Sequence, residues 1–287
     1  MIGFARRNLL NFFRDKTAVF FSLLAVFIII GLYALFLGDI WVNSLPDMAG
    51  VRYLMDSWIM AGLIAVTSIT TTMGAFGIMV EDRAGKIVKD IHSSPLRRSS
   101  IAGGYIVSSY LIGVIMSLVT VLLAEAYVLA NGGSLLSPEA FGKVFLLILL
   151  SCAASTALVL FIVSFFKSTN AFATASTILG TMMGFLTGIY IPVGQLPQAV
   201  QWVVKIFPVS HAAVLLRQVM MQDALTNTFA GAPYSAVSNF RLTMGMDFAG
   251  PSGGVIPAYA SMLILAATAL IFFGLSVMNL SRKRSNV

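Results

Sequence analysis

The side chains able to do chemistry are few and scattered. Two histidines, His92 and His211, and the lone Cys152 supply no ligand set for zinc or haem. A Ser-His-Asp arrangement would need one of those histidines. His92 lies in a charged run and His211 follows a proline beside an apolar segment, so each reads as solvated or interfacial. Gly85-Lys86 and Gly142-Lys143 lack both the upstream glycine and the following Ser or Thr of a P-loop, so no nucleotide is expected to bind in that way. Cys152 sits in the middle of an apolar run and reads as a packed thiol. Glu125 is the one acid near the body of such a run, where a carboxylate is costly and points to a proton relay. Counted from Gly103 at about 1.5 Å per residue, it falls ~33 Å along a helix, close to a membrane boundary. The chain is therefore not expected to be an enzyme by itself, nor to hold a metal or cofactor.

The elements that must position these residues are set by hydropathy. The chain has 287 residues, 58% hydrophobic and 10% charged, with a net charge of +7 and a mean hydropathy of +0.92. An ordinary soluble domain is excluded. Six stretches free of Asp, Glu, Lys and Arg (17–38, 57–80, 99–124, 144–166, 168–204 and 248–281) reach the ~20 residues needed to cross a bilayer. Backbone facing lipid must bond within its own segment, so each is read as helix. Pro192 and Pro197 break the longest run after about Tyr190. The sequence thus predicts an all-α integral membrane protein with six transmembrane helices, at about 18–38, 57–80, 103–129, 143–166, 171–190 and 257–280. Asn131-Gly132-Gly133-Ser134 is a turn between the third and fourth.

Orientation follows from the cations. With both termini cytoplasmic, the clusters at 6–16, 83–98 and 282–284 fall on the inner side, whereas Arg52, Lys143, Lys205, Arg217 and Arg241 fall outside among acids. The basic excess suits an anionic inner leaflet and needs no nucleic acid. A plasma-membrane location, in a bacterial or archaeal cell, is the expectation.

Residues 1–16 read as an amphipathic interfacial helix. Ile2, Ala5, Leu9, Phe12 and Phe13 share one face and Arg7, Asn8, Asn11, Arg14 and Asp15 the other, while Phe4 and Arg6 interrupt the pattern. Between the second and third spans lies Glu81-Asp82-Arg83-Ala84-Gly85-Lys86-Ile87-Val88-Lys89-Asp90-Ile91-His92-Ser93-Ser94-Pro95, a charged helix stopped by proline. Its Ile87, Val88 and Ile91 can share one side, as a helix that docks in a partner's groove would require. In the fifth span Asn170, Thr174, Thr177, Thr181, Gly184 and Gly188 recur every three or four residues, and Gly180, Gly184 and Gly188 add a small-residue face. Thr67, Thr71 and Gly74 form a related stripe on the second span. Both stripes serve either packing within the protomer or a translocation path or subunit seam. Residues 191–215, too broken to span and too apolar for a plain loop, read as an external re-entrant hairpin marked by Pro192, Pro197 and Pro208, with a short helix over 198–207.

In this order, three motifs resemble the membrane subunit of ABC-2-type ABC transporters. They are Glu81 to Lys86 with Ser93-Ser94-Pro95-Leu96-Arg97-Arg98 and Gly103; Gly188-Ile189-Tyr190-Ile191-Pro192 with Leu196-Pro197; and Phe207-Pro208-Val209-Ser210-His211 leading to Arg217. Gly104 departs from the pattern, standing where many members carry Lys. The resemblance covers nearly the whole chain and implies a single six-helix domain over 17–287. It implies that the N-terminal helix and a coupling helix after span 2, with Glu81, Arg83, Gly85, Lys86, Val88, Ile91 and Pro95, contact a P-loop ATP-binding cassette subunit, present in two copies. ATP and Mg would be bound there and not in this chain. It further implies that spans 2 and 5 line a path between two permease chains, identical or homologous, for a drug, an antimicrobial peptide or a lipid-like compound. Polysaccharide or lipid-linked glycan export is an alternative cargo class. A proton-driven carrier using Glu125 and a non-transporting scaffold are the competing functions.

Overall fold

The charge-free runs do form helices. The computed structural model describes residues 1–38, 48–85, 87, 97–166, 168–250 and 253–282. An N-terminal helix, α1 (Ile2–Arg14), leads into α2 (Lys16–Leu32), which continues through a π-turn at Tyr33–Leu37. Four long helices follow: α3 (Val51–Ala84), α4 (Arg98–Ala130), α5 (Pro138–Val163) and α6 (Thr169–Leu186). After a 3-10 turn at Val193–Gln195 come the short helices α7 (Gln198–Ile206), α8 (Pro208–Met220), α9 (Gln222–Thr228) and α10 (Tyr234–Thr243). The last helix is α11 (Ala258–Arg282). Among the described residues the only β pairing is an isolated bridge between Ala249 and Val255.

Local chemistry explains the helix ends. Asp15 caps α2, its carboxylate accepting the Ala18 N–H at 3.0 Å. Ser137 caps α5 in the same way at 3.2 Å, followed by Pro138 and Glu139 in the first turn. The expected turn at 131–134 is present, with Gly132 at φ +83°.

Among the described residues five helices are long and apolar enough to cross a membrane, and a sixth crossing is reached if α7 and α8, bent by 90° at Phe207, count as one. The helix at the expected fifth span, α6, has 18 residues, and its threonines and Asn170 make it less apolar than those five. It also stops at Leu186, four residues short of the expected 190, because Gly188 turns left-handed at φ +70°. The second crossing helix is longer than expected. It holds 34 residues, on the order of 50 Å, against a hydrocarbon core of ~30 Å.

That helix, α3, is the axis of the bundle. It packs against α2, α4, α5, α6 and α8, and 83% of its most apolar window is buried, against 22% for α2 and α11. The last two present apolar side chains such as Phe20, Phe21, Leu270 and Ile271 outward, as lipid-facing helices do. Inside, hydroxyls bind the helices together: Ser68 meets Ser151 at 2.7 Å and Ser155 at 3.3 Å, the hydrogen-bonded packing found between helices in lipid. At the end of α3 near its start, the Trp58 indole N–H donates to the Met244 carbonyl at 2.7 Å.

The N-terminal helix is rotated from the expected register. Phe4, Ala5, Asn8 and Phe12 are buried, while Ile2 and Phe13 are exposed. Phe4 was expected to interrupt the apolar face and Asn8 to lie on the polar one. Asn8 is accommodated because its amide donates to Ser108 Oγ at 3.3 Å.

Candidate functional site

The carboxyl end of α3 carries the first half of the charged motif. Asp82 lies in the last turn of the helix and is buried. Arg7 of α1 grips it with both guanidinium nitrogens, Nη1 to Oδ2 at 2.7 Å and Nη2 to Oδ1 at 3.1 Å. Tyr105 of α4 donates its hydroxyl to the same Oδ2 at 2.5 Å. A charged, two-pronged pair closed by a third donor is strong and directional, and the carboxylate holds the Arg7 guanidinium above its ordinary pKa. Phe4 packs edge-on against Tyr105, ring centroids 5.0 Å apart. A Cβ on Gly104 would lie 2.6 Å from Phe4 Cδ1, so the departure from Lys at this position makes room for that ring. Three elements far apart in sequence thus meet in one clasp.

Around it, Glu81 is exposed, and its carbonyl accepts the Gly85 N–H at 2.8 Å. Arg83 is half-buried, with Nη1 reaching the Val163 carbonyl at 3.4 Å. Ile87 is exposed. Lys86, Val88, Ile91 and Pro95, together with His92, lie outside the described residues.

The two stripes expected to face one another divide. Thr67 and Thr71 are fully buried within the protomer, and Thr67 accepts from Thr120 of α4 at 3.3 Å. Thr67 thereby ties α3 to α4, and the Thr71 hydroxyl donates back to the Thr67 carbonyl at 2.6 Å. Gly74 is exposed, and with Gly180 it borders a recess of about 370 Å³ between α2, α3 and α6, where Phe12, Phe21, Met73 and Met183 also line the wall. Thr174, Thr177 and Thr181 form an exposed row on α6, each hydroxyl bonded back to a carbonyl four residues earlier at 3.0 Å. That row presents methyl groups and satisfied hydroxyls outward. Gly184 does not continue it, because its Cα is covered by the ring of Tyr190, and Gly188 lies beyond the helix in the turn.

Pro192 and Pro197 bound the 3-10 turn, and Pro208 opens α8 at the 90° bend. The segment returns into the bundle, since α8 is buried against α3, α5 and α11. His211 is therefore not solvated. Its Nδ1 pairs with Ser261 Oγ at 2.9 Å and its Nε2 with the Lys205 carbonyl at 2.7 Å. Arg217 is buried too, its guanidinium 4.9 Å from the centroid of the Trp58 ring and 3.4 Å from the Gly245 carbonyl.

The acids Glu125 and Asp56 both lie near helix ends. Glu125 accepts the Leu136 N–H at 2.8 Å, bracing the loop after α4 near that helix's end. Asp56, read from sequence as a loop acid, is inside α3 and buried, 3.4 Å from Arg52. No group of three or more His, Cys, Asp or Glu side chains able to hold a metal ion occurs among the described residues. Sequence reasoning read Asp82 and Arg7 only within their own segments and did not single out Tyr105.

The long apolar helices around a buried axial helix, with a bent helix pair after α6, are those of a multi-pass membrane protein. The profile of the ABC-2 type transporter family matches residues 3–221, most of the chain, and the protein belongs to that family. It is accordingly the transmembrane component of an ABC-type transporter, a family whose ATPase activity resides in a separate subunit. No curated protein matches the chain.

Proposed function

We propose that the chain is the permease subunit of an ATP-driven exporter. Two ATPase subunits engage residues 81–97 of two permeases, identical or homologous, at the cytoplasmic side. Both termini are cytoplasmic and the host bilayer is the plasma membrane. The observation that carries the reading is the clasp. Arg7, Asp82 and Tyr105 make α1, α3 and α4 one body beside the charged loop, so force on that loop moves the axial helix and not a tether alone. Nucleotide closure then biases two rigid-body arrangements of the paired permeases. Cargo is a large amphiphile. The recess beside Gly74 and Gly180 is apolar and wide enough for part of one, and the exposed threonine row of α6 offers a surface for the second permease.

A carrier driven by protons is the poorer reading, because Glu125 is tied to Leu136 at a helix end. Alanines at Val88 and Ile91 separate the two. They abolish nucleotide-dependent transport and leave membrane insertion intact if an ATPase grips this loop, whereas Glu125→Gln is the variant that stops a proton carrier. Transport untouched by the alanines would remove the ATPase contact from this segment.

A further inference from the structure

At the opposite end of the bundle from the clasp, largely beyond residue 221, a cleft of about 610 Å³ lies between α8, α10 and the start of α11. Its floor is a fixed polar trio. Asp247 accepts from Arg241 Nε at 2.6 Å and Nη2 at 3.1 Å, and from Gln218 Nε2 at 2.8 Å. Gln218 gives its other amide hydrogen to the Met246 carbonyl at 2.9 Å. Both partners of that amide are pure acceptors, so its orientation is settled by chemistry. The consequence is a Gln218 Oε1 left as an acceptor and an Arg241 Nη1 left as a donor, on two residues that line the cleft and bond the same carboxylate oxygen. Tyr234 stands at the rim, 86% exposed, near the half-buried Ser238.

We propose that this cleft binds a sugar ring, carried either by a free glycan or by the headgroup of a glycolipid in the adjacent leaflet. Each hydroxyl of a vicinal diol donates and accepts at once, and so needs a fixed acceptor beside a fixed donor. The C–H face of a pyranose stacks on an exposed aromatic ring, which orders the ligand at small entropic cost. Charge argues in the same direction. Arg241 and Asp247 neutralise one another, which leaves neither an anion nor a cation an unmatched partner in the floor. A second cleft of about 310 Å³ shares Gln218 and Gln222 with the first, so the polar tract runs on past a single ring. On the other side Val255, Ile256 and Pro257 border the cleft just where α11 begins its apolar run, which would let an attached acyl chain pass into lipid. This site does not depend on the transport reading.

The test uses the full chain in phosphatidylcholine nanodiscs. One arm adds maltotriose and reads saturation-transfer NMR; the other includes diglucosyl diacylglycerol in the disc and reads the glycolipid retained on the purified protein by mass spectrometry. Tyr234→Phe should bind like the parent, whereas Tyr234→Ala should weaken binding roughly three- to tenfold, the scale of one aromatic contact. Tyr234 is exposed, so its loss leaves folding intact; Gln218→Met, which removes the acceptor together with the two bonds its amide donates, should also weaken binding. Binding of maltotriose assigns the site to free glycan, and retention of the glycolipid alone assigns it to a headgroup. Binding in neither arm, or equal binding by Tyr234→Ala, overturns the proposal.

Discussion

Replacing Asp82 by Asn should uncouple the N-terminal helix from the axis of the bundle. The Asp82 side chain is 5% exposed and that of Arg7 34%. The carboxylate accepts three hydrogen bonds, two from Arg7 and one from Tyr105. The amide keeps one acceptor, loses the charge and turns an N–H toward a donor. Removing one partner of a fully buried pair costs about 3–5 kcal/mol. Arg7 is a third exposed and can recover water, so a loss of roughly 1.5–3 kcal/mol is the better figure. The burial of Phe4 and Phe12, on the order of 1.5–3 kcal/mol each, should keep α1 docked but loosely oriented. A double-mutant cycle of Arg7→Ala and Asp82→Ala, followed by denaturant titration of the purified protein, isolates the pair. A coupling of about 1–3 kcal/mol is expected, against ~0–1 kcal/mol for an ordinary surface pair. Nucleotide-dependent transport should fall in step with it. Additivity within ~0.5 kcal/mol would mean that the two helices are independent, and the reasoning from clasp to force transfer would be wrong.

Two smaller perturbations test other parts of the structure. Alanine at Gly104 must push the buried Phe4 aside, and at Gly184 its Cβ meets the edge of the Tyr190 ring. Despite a shared gain of ~1 kcal/mol in helix propensity, both substitutions should therefore lower the thermal midpoint; a midpoint unchanged or raised in either would contradict the packing described. Thr177→Trp, on the exposed row of α6, should leave the thermal midpoint of the single chain unchanged while reducing chemical crosslinking between permeases and transport. Undiminished crosslinking would remove α6 from the subunit seam.

The sequence displays what is local. Unbroken apolar runs and the Asn131-Gly132 turn act through neighbours within a few residues, and the turn is found where the pattern places it, whereas the Ser137-Pro138-Glu139 start of α5, five residues before the expected span, was overlooked. Contacts between distant segments leave no such mark. Nothing near Arg7 announces Asp82, 75 positions away. The register of α1 was misjudged for the same reason, since Asn8 reads as polar surface until Ser108 is beside it. The α6 stripe failed at Gly188, where spacing alone cannot distinguish a glycine packed in a helix from one that ends it. Asp56 joined a helix because Gly50, at φ +85°, starts α3 earlier than the charge-free run suggested. The polar cleft was invisible because its residues come from 218, 241 and 247 and converge only once α8 has folded back.

The uninterrupted course of α3 has a mechanical meaning. Near one end it is pinned through Trp58 to the Met244 carbonyl, and near the other through Asp82 to Arg7. No proline interrupts the 34 residues between Val51 and Ala84. Such a pushrod does not absorb motion along its length. One helix thus joins the clasp to the cap around Met244, and a step imposed on the first has a continuous path to the second.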